Sequence, residues 1–466
     1  MFAAITLMAV AVANTGSAQN SWSFVMLGDT RDDNNTSNGI SPYLNTIAQK
    51  IATLNPQLVI VDGDLCNGDA LNTNSPWYPP GGGTNFNTAA MKTNYAMFFA
   101  NWKTAMKPVF DYSTSTGIPI YTVRGNHENE DEERAPIEVL KQAYQEAFSA
   151  YVPTNGPNNG TNDNEQGFSW SLTTNNVTFV AADQYFNFDP TFTNATPWSG
   201  YHYLDQAWIT QQLRQSTSPY KIFIAHEPIF QTEGKSLPFE MENEDAQHFF
   251  GTNAAAMLTR SNFWNNIGDA GAQLYLAGHI HLETVASTTN DHGHTIIQLM
   301  AGNGGAPPQD FIDGGVEPGV TLFYNNGNIL VTNGENVSVQ ATFGFALATV
   351  TDEKMTIHYY SLNPTNNSWT VADYVTEIVS AKARPIISMP FDPSAGTFSY
   401  ARQDPAGTGL SYSIETSPDL STWSTNAPPA TQTVTATANN TQTVQVTLGG
   451  VKPLTAQKLF IRITAQ

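Results

Sequence analysis

Residues 272–284 read AQLYLAGHIHLET, an apolar run that ends in two histidines, His279 and His281, with only Ile280 between them. A run this short, closed by Gly278, predicts a buried strand that delivers both imidazoles to the loop at its C-terminal end. The chain has just 9 histidines, so a pair at one strand end asks for a chemical reason.

The same pattern recurs in SFVMLGDTR (23–31), QLVIVDGDLCNG (57–68), IPIYTVRGNHE (118–128) and YKIFIAHEP (220–228). Each is a short apolar run finishing in a knot of polar residues. Helical periodicity fills the intervals, over Tyr43 to Leu54, Met91 to Met106, Ile137 to Ala150, Leu204 to Gln215 and Ala254 to Ile267. Strand alternating with helix predicts an α/β architecture, with ligands collecting at the strand ends. Beyond His281 come strand-and-turn stretches, HTIIQLMAGNGG (294–305), GVTLFYNNGNILVTNG (319–334) and FGFALATVTDEKMTIHYYSL (343–362), expected to complete a second sheet of the same domain.

At VSAKARPIISMP (379–390) the composition turns to Thr, Ser, Ala, Pro and Asn with alternating strands. Residues 381–466 are therefore expected to form a separate small all-β module, competent for polysaccharide or cell-surface contact or for simple packing. The first twenty residues, MFAAITLMAVAVANTGSAQN, hold an apolar stretch too short to span a bilayer, followed by Gly16 and Ala18 spaced like a signal-peptidase site. Residues 1–18 are read as a signal peptide, and the protein as secreted or periplasmic. A buried first strand is the competing reading, since no Lys or Arg precedes the apolar stretch. The single cysteine, Cys66, excludes an intrachain disulfide and is expected as a small buried residue.

At 466 residues the chain is long enough for two or more cores. A formal net charge of −21 with only 19 Lys and Arg repels nucleic-acid backbones and anionic membranes. A small anionic substrate would then need local positive charge, most economically from metal ions.

The strand ends together offer Asp29, Asp64, Asn126, His127, His226, His279 and His281. Taken singly, an Asp after a strand is usually a turn or cap residue, and a lone His a satisfied core residue. Collected, carboxylate, amide and imidazole ligands suit first-row ions such as Mn, Fe or Zn. Their number exceeds what one open catalytic ion needs and suits two ions bridged by a shared carboxylate.

In order, the motifs GD, GD, GNHE, a lone His and GHxH resemble the calcineurin-like metallophosphoesterases, including the purple acid phosphatase branch, over roughly residues 20 to 375. The resemblance implies a four-layer αββα sandwich over residues 19–380, followed by the small all-β sandwich. It implies a cofactor of two divalent or trivalent metal ions. Asp29 and His281 would hold the first, Asn126, His226 and His279 the second, and Asp64 would bridge both. His127 would be the acid that contacts the phosphate or protonates the leaving oxygen. The implied reaction is hydrolysis of phosphate monoesters by metal-bound hydroxide without a phosphoenzyme. A phosphodiesterase or nucleotidase of the same fold is the alternative, and a non-catalytic metal-containing surface-binding protein is the alternative from another class.

Two positions depart from the family's pattern. Arg31 stands where many relatives place a histidine ligand, and Asn67 stands where the purple acid phosphatase branch has a ligating tyrosine. Asn67 or water is expected to complete the first ion's shell. Arg31 is expected either to face the substrate phosphate as a forked donor or to pair with Asp32 or Asp33 on the rim. Glu128 is expected behind the site, orienting a nearby histidine. His292 and His294 read as surface residues, His202 and His248 as packing or rim residues. The AGNGGAPP stretch (301–308) reads as a source of backbone N–H groups near the site or as a tight turn.

Overall fold

The computed structural model describes residues 21–32, 39–68, 88–129, 137–160, 163–187, 204–230, 232, 254–308, 310–312, 316, 319–326, 328–330 and 342–380, and beyond these 386–387, 397–403, 412–417, 430–438, 441–449 and 460–465. The chain divides into two compact units, one of residues 21–350 with 355–378, the other containing 351–354 and 379–466.

The first unit is built on β1 (Trp22–Leu27), β2 (Leu58–Val61), β3 (Ile120–Thr122), β4 (Trp170–Thr174), β5 (Val177–Ala181), β6 (Tyr220–Ile224), β7 (Leu274–Ala277), β8 (Glu283–Thr289), β9 (Thr295–Ala301), β10 (Thr321–Asn325), β11 (Phe343–Val350), β12 (Lys354–Asn363) and β13 (Ser368–Val379). Its helices are α1 (Leu44–Leu54), α2 (Ala89–Ala105), α3 (Glu138–Phe148), α4 (Gln206–Gln215) and α5 (Ala254–Asp269). Two mixed sheets result, in the orders β13-β12-β11-β1-β2-β3 and β10-β8-β9-β7-β6-β5-β4. β1, β2 and β3 run parallel, as do β5, β6, β7 and β9.

The period-2 geometry of a strand explains why these runs are apolar throughout. Phe24 and Met26 of β1 and Leu58 and Ile60 of β2 point between the sheets, where they meet Ile222 and Ile224 of β6 and Leu274 and Leu276 of β7. Val25, Leu27, Val59 and Val61 point the other way and are covered by α1, α2 and α3 through Ile47, Ile51, Phe98, Trp102 and Tyr144. On the far face of the second sheet, Phe223, Tyr275 and Ala277 meet Ile209 and Leu213 of α4 and Phe263 and Ile267 of α5. The layering is helix, sheet, sheet, helix.

The helices follow from local signals. In α1, Leu44, Ile47, Ala48 and Ile51 form one buried stripe, and Asn55 ends it at φ 49° in the left-handed region. The Thr88 hydroxyl caps α2 by accepting from Met91 N–H at 3.3 Å, and the Asp205 carboxylate caps α4 by accepting from Trp208 N–H at 2.9 Å.

One expectation fails. The hairpin of β11 and β12 does not complete the second sheet: β11 pairs antiparallel with β1, which places β11, β12 and β13 in the first sheet. Only β8, β9 and β10 of the post-His281 strands join the second, and residues 328–330 pair with 310–312 in a two-stranded sheet of their own. An alternating pattern states which face of a strand is buried, not which sheet claims its edge.

The second unit is all β. β14 (Ile386–Ile387), β15 (Thr397–Gln403), β17 (Ala430–Ala438) and β18 (Thr441–Leu448) form a sheet in the order β14-β15-β18-β17, and β16 (Tyr412–Ser417) pairs with β19 (Phe460–Ala465). Ile414 of β16 joins Phe398, Tyr400, Val444, Val446 and Leu448 in one small core, so the two sheets pack together.

Candidate metal centre

Five strands of the two sheets deliver the site from their C-terminal ends. The loop after β1 carries Asp29 and Arg31, that after β2 carries Asp62 and Asp64, and β3 leads to a 3-10 turn over Asn126–Asn129. β6 leads to His226, and β7 to His279 and His281. Asp29, Asp64 and His279 have φ of 54°, 50° and 71°, left-handed values that side-chain-bearing residues seldom take. Such backbone costs on the order of 1–3 kcal/mol per residue and persists only where its surroundings over-determine it. Here they do. Asp29 N–H donates to Gly63 O at 3.1 Å, Thr30 N–H to Asp64 O at 2.9 Å and Gly278 N–H to His226 O at 2.8 Å. The 301–308 stretch adds a clamp, with Gly304 N–H on Gly28 O at 2.9 Å and Ala306 N–H on Asp29 O at 2.8 Å.

Side chains from these loops make two donor sets. In one, His226 Nδ1 lies 3.0 Å from the Asp62 carbonyl, which only accepts, so Nδ1 carries the proton and Nε2 turns a lone pair inward. That lone pair meets Asn126 Oδ1 at 3.0 Å and Asp64 Oδ1 at 3.3 Å, and His279 Nδ1 stands 3.3 Å from the same Asn126 oxygen. The Asp64 and Asn126 oxygens and His226 Nε2 converge as acceptors that fit a cation between them, and oxygen with imidazole nitrogen suits a borderline divalent ion. This set fits the second ion that the sequence assigns to Asn126, His226, His279 and Asp64.

The other set is Asp29, Asp64 and His281, whose ligand atoms lie within 4.8 Å of one another. His281 Nδ1 donates to Pro307 O at 2.9 Å, so its Nε2 also presents a lone pair. Asp29 Oδ1 stands 3.7 Å from that Nε2, buried and without a hydrogen-bond partner. Its other oxygen accepts His279 N–H at 2.8 Å. This donor set also calls for a cation, and Arg31 supplies one. Arg31 Nε reaches Asp64 Oδ2 at 3.1 Å and its Nη2 reaches His281 Nε2 at 2.8 Å, with the residue only 8% exposed. Arg31 is thus turned inward on two expected first-ion ligands, where the sequence placed it facing substrate or on the rim.

The electrostatics follow. Burial pushes the Asp64 carboxyl up, but the positive charge that His226 and His127 carry when protonated, together with that of Arg31, outweighs it and holds Asp64 well below the usual carboxylate range. Burial and the neighbouring Asp64 and Asp62 charges push Asp29 well above it. Burial and the adjacent Arg31 charge hold His281 well below the usual imidazole range, consistent with a neutral ring.

His127 sits at the edge, with its side chain 19% exposed, its N–H on Asp64 Oδ1 at 3.1 Å and its Nε2 3.8 Å from Asp64 Oδ2. Glu128 orients backbone rather than a histidine. It accepts from Leu65 N–H at 2.9 Å, Cys66 N–H at 3.2 Å and Gly125 N–H at 2.8 Å, tying the β2 loop to the β3 loop. Burial and the Asp64 charge push its carboxyl up to about 8. Asn67 is buried, with its N–H donated to Gly39 O at 2.6 Å. Cys66 is buried, as expected. His292 and His294 both stand beside Asp269 near the surface, at 2.8 and 3.4 Å. His202, His248, the leader 1–18 and most of the stretches 68–90 and 231–250 lie outside the described residues.

Asp62 is the residue that sequence reasoning missed. It is fully buried, neither carboxylate oxygen has a hydrogen-bond partner, and it forms a further potential ligand cluster with Asp29 and His226. Burial and the Asp64 charge push its carboxyl well above the usual range. Its signal was an acid closing the apolar run LVIV one residue before Gly63.

Residues 23–283 match the calcineurin-like phosphoesterase family. No curated protein matches the chain. Among solved structures, it is similar to a purple acid phosphatase from yellow lupin (Lupinus luteus) seeds, at 15% identity and a TM-score of 0.48 over 76% of this chain and 53% of that one. It is also similar to PhoD, at 14% identity and 0.46 over 77% and 72%, and to GAP50, the anchor in the inner membrane complex of Plasmodium, at 14% and 0.42 over 77% and 89%. The chain therefore spans about half the length of the lupin protein.

Proposed function

The chain belongs to the calcineurin-like phosphoesterase family, whose match covers residues 23–283, and from that premise we propose that it is a metal-dependent hydrolase of phosphate esters, acting on monoesters. The family implies a dinuclear metal centre. The observation that carries the reading is the convergence of Asp64 Oδ1, Asn126 Oδ1 and His226 Nε2 as acceptors, with His279 Nδ1 beside the Asn126 oxygen, from four strand ends, a set that fits a cation.

An ion bound there supplies Lewis acidity toward a phosphoryl oxygen and lowers the pKa of water, with Mn, Fe and Zn all suiting the donors. The protein's part is preorganisation. Asp64 is kept ionised, the Asp62 and Pro307 carbonyls fix the tautomers of His226 and His281, and the strained loops are clamped before substrate arrives. His127, at the exposed edge beside Asp64, is placed to hand a proton to the departing oxygen. Water attacks phosphorus directly, so no side chain becomes phosphorylated.

No helix among the described residues is long and apolar enough to cross a membrane. Residues 1–18 are inferred to be a removed leader, which puts the mature protein outside the cytoplasm. Residues 381–466 are inferred to be an accessory module that contacts polysaccharide or a cell surface, with 19–380 as the catalytic part.

The test is hydrolysis of p-nitrophenyl phosphate beside bis-p-nitrophenyl phosphate, with protein loaded in turn with Mn, Zn or Fe. The monoester is expected to turn over faster, chelation to abolish the rate, and Asn126→Ala and His127→Ala to lower kcat by roughly 100-fold or more with circular dichroism unchanged. A diester preference moves the assignment to phosphodiesterase. Unchanged turnover in both variants removes the site.

A further inference from the structure

We propose that the Arg31 guanidinium is the resident cation of the first-ion position, so that the folded chain takes one metal ion, at Asp64, Asn126, His226 and His279. This rests on the metal-centre reading above but not on its substrate.

Of the three side chains that a first ion would use, two already have their inward lone pairs engaged, and only Asp29 Oδ1 is left open. An ion in that position needs His281 Nε2 and Asp64 Oδ2, yet Arg31 Nη2 and Nε meet those atoms at 2.8 and 3.1 Å. His281 has no second nitrogen to offer, because Nδ1 is committed to the Pro307 carbonyl at 2.9 Å. A zinc–imidazole bond is about 2.0–2.1 Å long, so an ion seated on the same lone pair would stand well inside contact distance of the guanidinium. Two cations cannot share that space.

A guanidinium also suits the place chemically. It stays charged at any working pH and presents its N–H groups as a planar fork, which here meets one carboxylate oxygen and one imidazole nitrogen. Asp64 would then stand between two positive charges, its Oδ2 on Arg31 and its Oδ1, beside His226, among the atoms that would hold the ion. At the sequence level the exchange is one residue: the side chain two positions after Asp29 becomes a built-in positive charge in place of an imidazole ligand. Arg31 is 8% exposed and lies on the β1 loop that Gly304 and Ala306 clamp, so its entry angle is fixed by the backbone.

The experiment is metal counting on the full chain. Metal-free protein is titrated with Mn²⁺, and separately with Zn²⁺, by calorimetry, and the dialysed product is analysed by plasma mass spectrometry. The unsubstituted protein is expected to retain one ion per chain, and Arg31→His, which restores an imidazole beside Asp29, to retain two. Two tightly held ions in the unsubstituted protein overturn the proposal, as does a count of none with the fold intact. Should Arg31→His fail to fold, the unsubstituted count decides alone, and Arg31→Met, similar in length and uncharged, is read beside it. Retention of one ion without turnover of any phosphate ester sinks the functional reading and leaves this one standing.

Discussion

Gly125 shows how closely the site is built around single atoms. A Cβ there would run into Asp64 Oδ1 and the Asp64 backbone nitrogen, with His226 Cε1 at 2.9 Å. The clash lies with an anchored carboxylate and with backbone, neither of which can swing away. Gly125→Ala is therefore expected to leave the sheets folded while moving Asp64 off its ion. Metal affinity should fall at least about tenfold and kcat/KM about 100-fold, since positioning errors near 1 Å carry penalties of that size. Calorimetry and steady-state kinetics check this, and a variant with native affinity would show that the loop relaxes around the methyl. At this scale the sequence is legible for chemistry but not for pose. Asp29, Asp64, Asn126, His226, His279 and His281 could be chosen because each closes an apolar run. The inward turn of Arg31 could not, because it depends on where Asp64 and His281 lie, 33 and 250 residues away. Asp62 escaped for a related reason: next to Asp64 it reads as a loop acid, and only the packing shows it buried.

At the scale of elements, the five strands that lead to the site and the five α-helices among the described residues could be read from periodicity, because each period is a local property of the chain. The membership of β11, β12 and β13 in the first sheet could not, since β1 meets β11 more than three hundred residues later, Trp22 opposite Val350. Side-chain ties of a shorter span hold the β4 and β5 region behind the site. The buried Glu165 carboxyl accepts from the Ser169 hydroxyl, which in turn accepts Asp183 N–H at 3.0 Å. Burial, with Asp183, Asp163 and Asp205 nearby, pushes Glu165 from 4.5 to about 8. In that window the unfolded chain releases a proton that the folded chain keeps. Stability is thus full below about 4.5, falls as pH rises toward about 8 and is level beyond. Glu165→Gln, isosteric with the protonated acid, should match the unsubstituted protein near pH 5 and exceed it by more than about 2 kcal/mol at pH 8, because each tenfold difference in proton affinity is worth about 1.36 kcal/mol. Denaturant melts across that range test it, and parallel stability curves for the two proteins would mean that Glu165 titrates normally in the fold.

For the molecule as a whole, the net charge of −21 is legible from composition alone, and it sets a problem that the site must solve. Under the proposed function, a phosphate monoester dianion would approach a surface that repels it and be welcomed only within reach of the ion held at the strand ends. The two fields differ in range. Charges spread over the surface act across tens of ångströms in dilute salt and are screened beyond about 10 Å at 0.1 M. The cations at the strand ends act at contact and are screened much less. Added salt should therefore remove more repulsion than attraction. Between about 10 and 150 mM sodium chloride, kcat/KM for p-nitrophenyl phosphate is expected to rise by roughly two- to threefold, through KM rather than kcat. The singly charged bis-p-nitrophenyl phosphate should respond less, because the repulsion scales with substrate charge. A fall with salt for the dianion would reverse the ranking: the positive charge gathered at Asp64 would then reach beyond the site and steer substrate in, despite the acidity of everything around it.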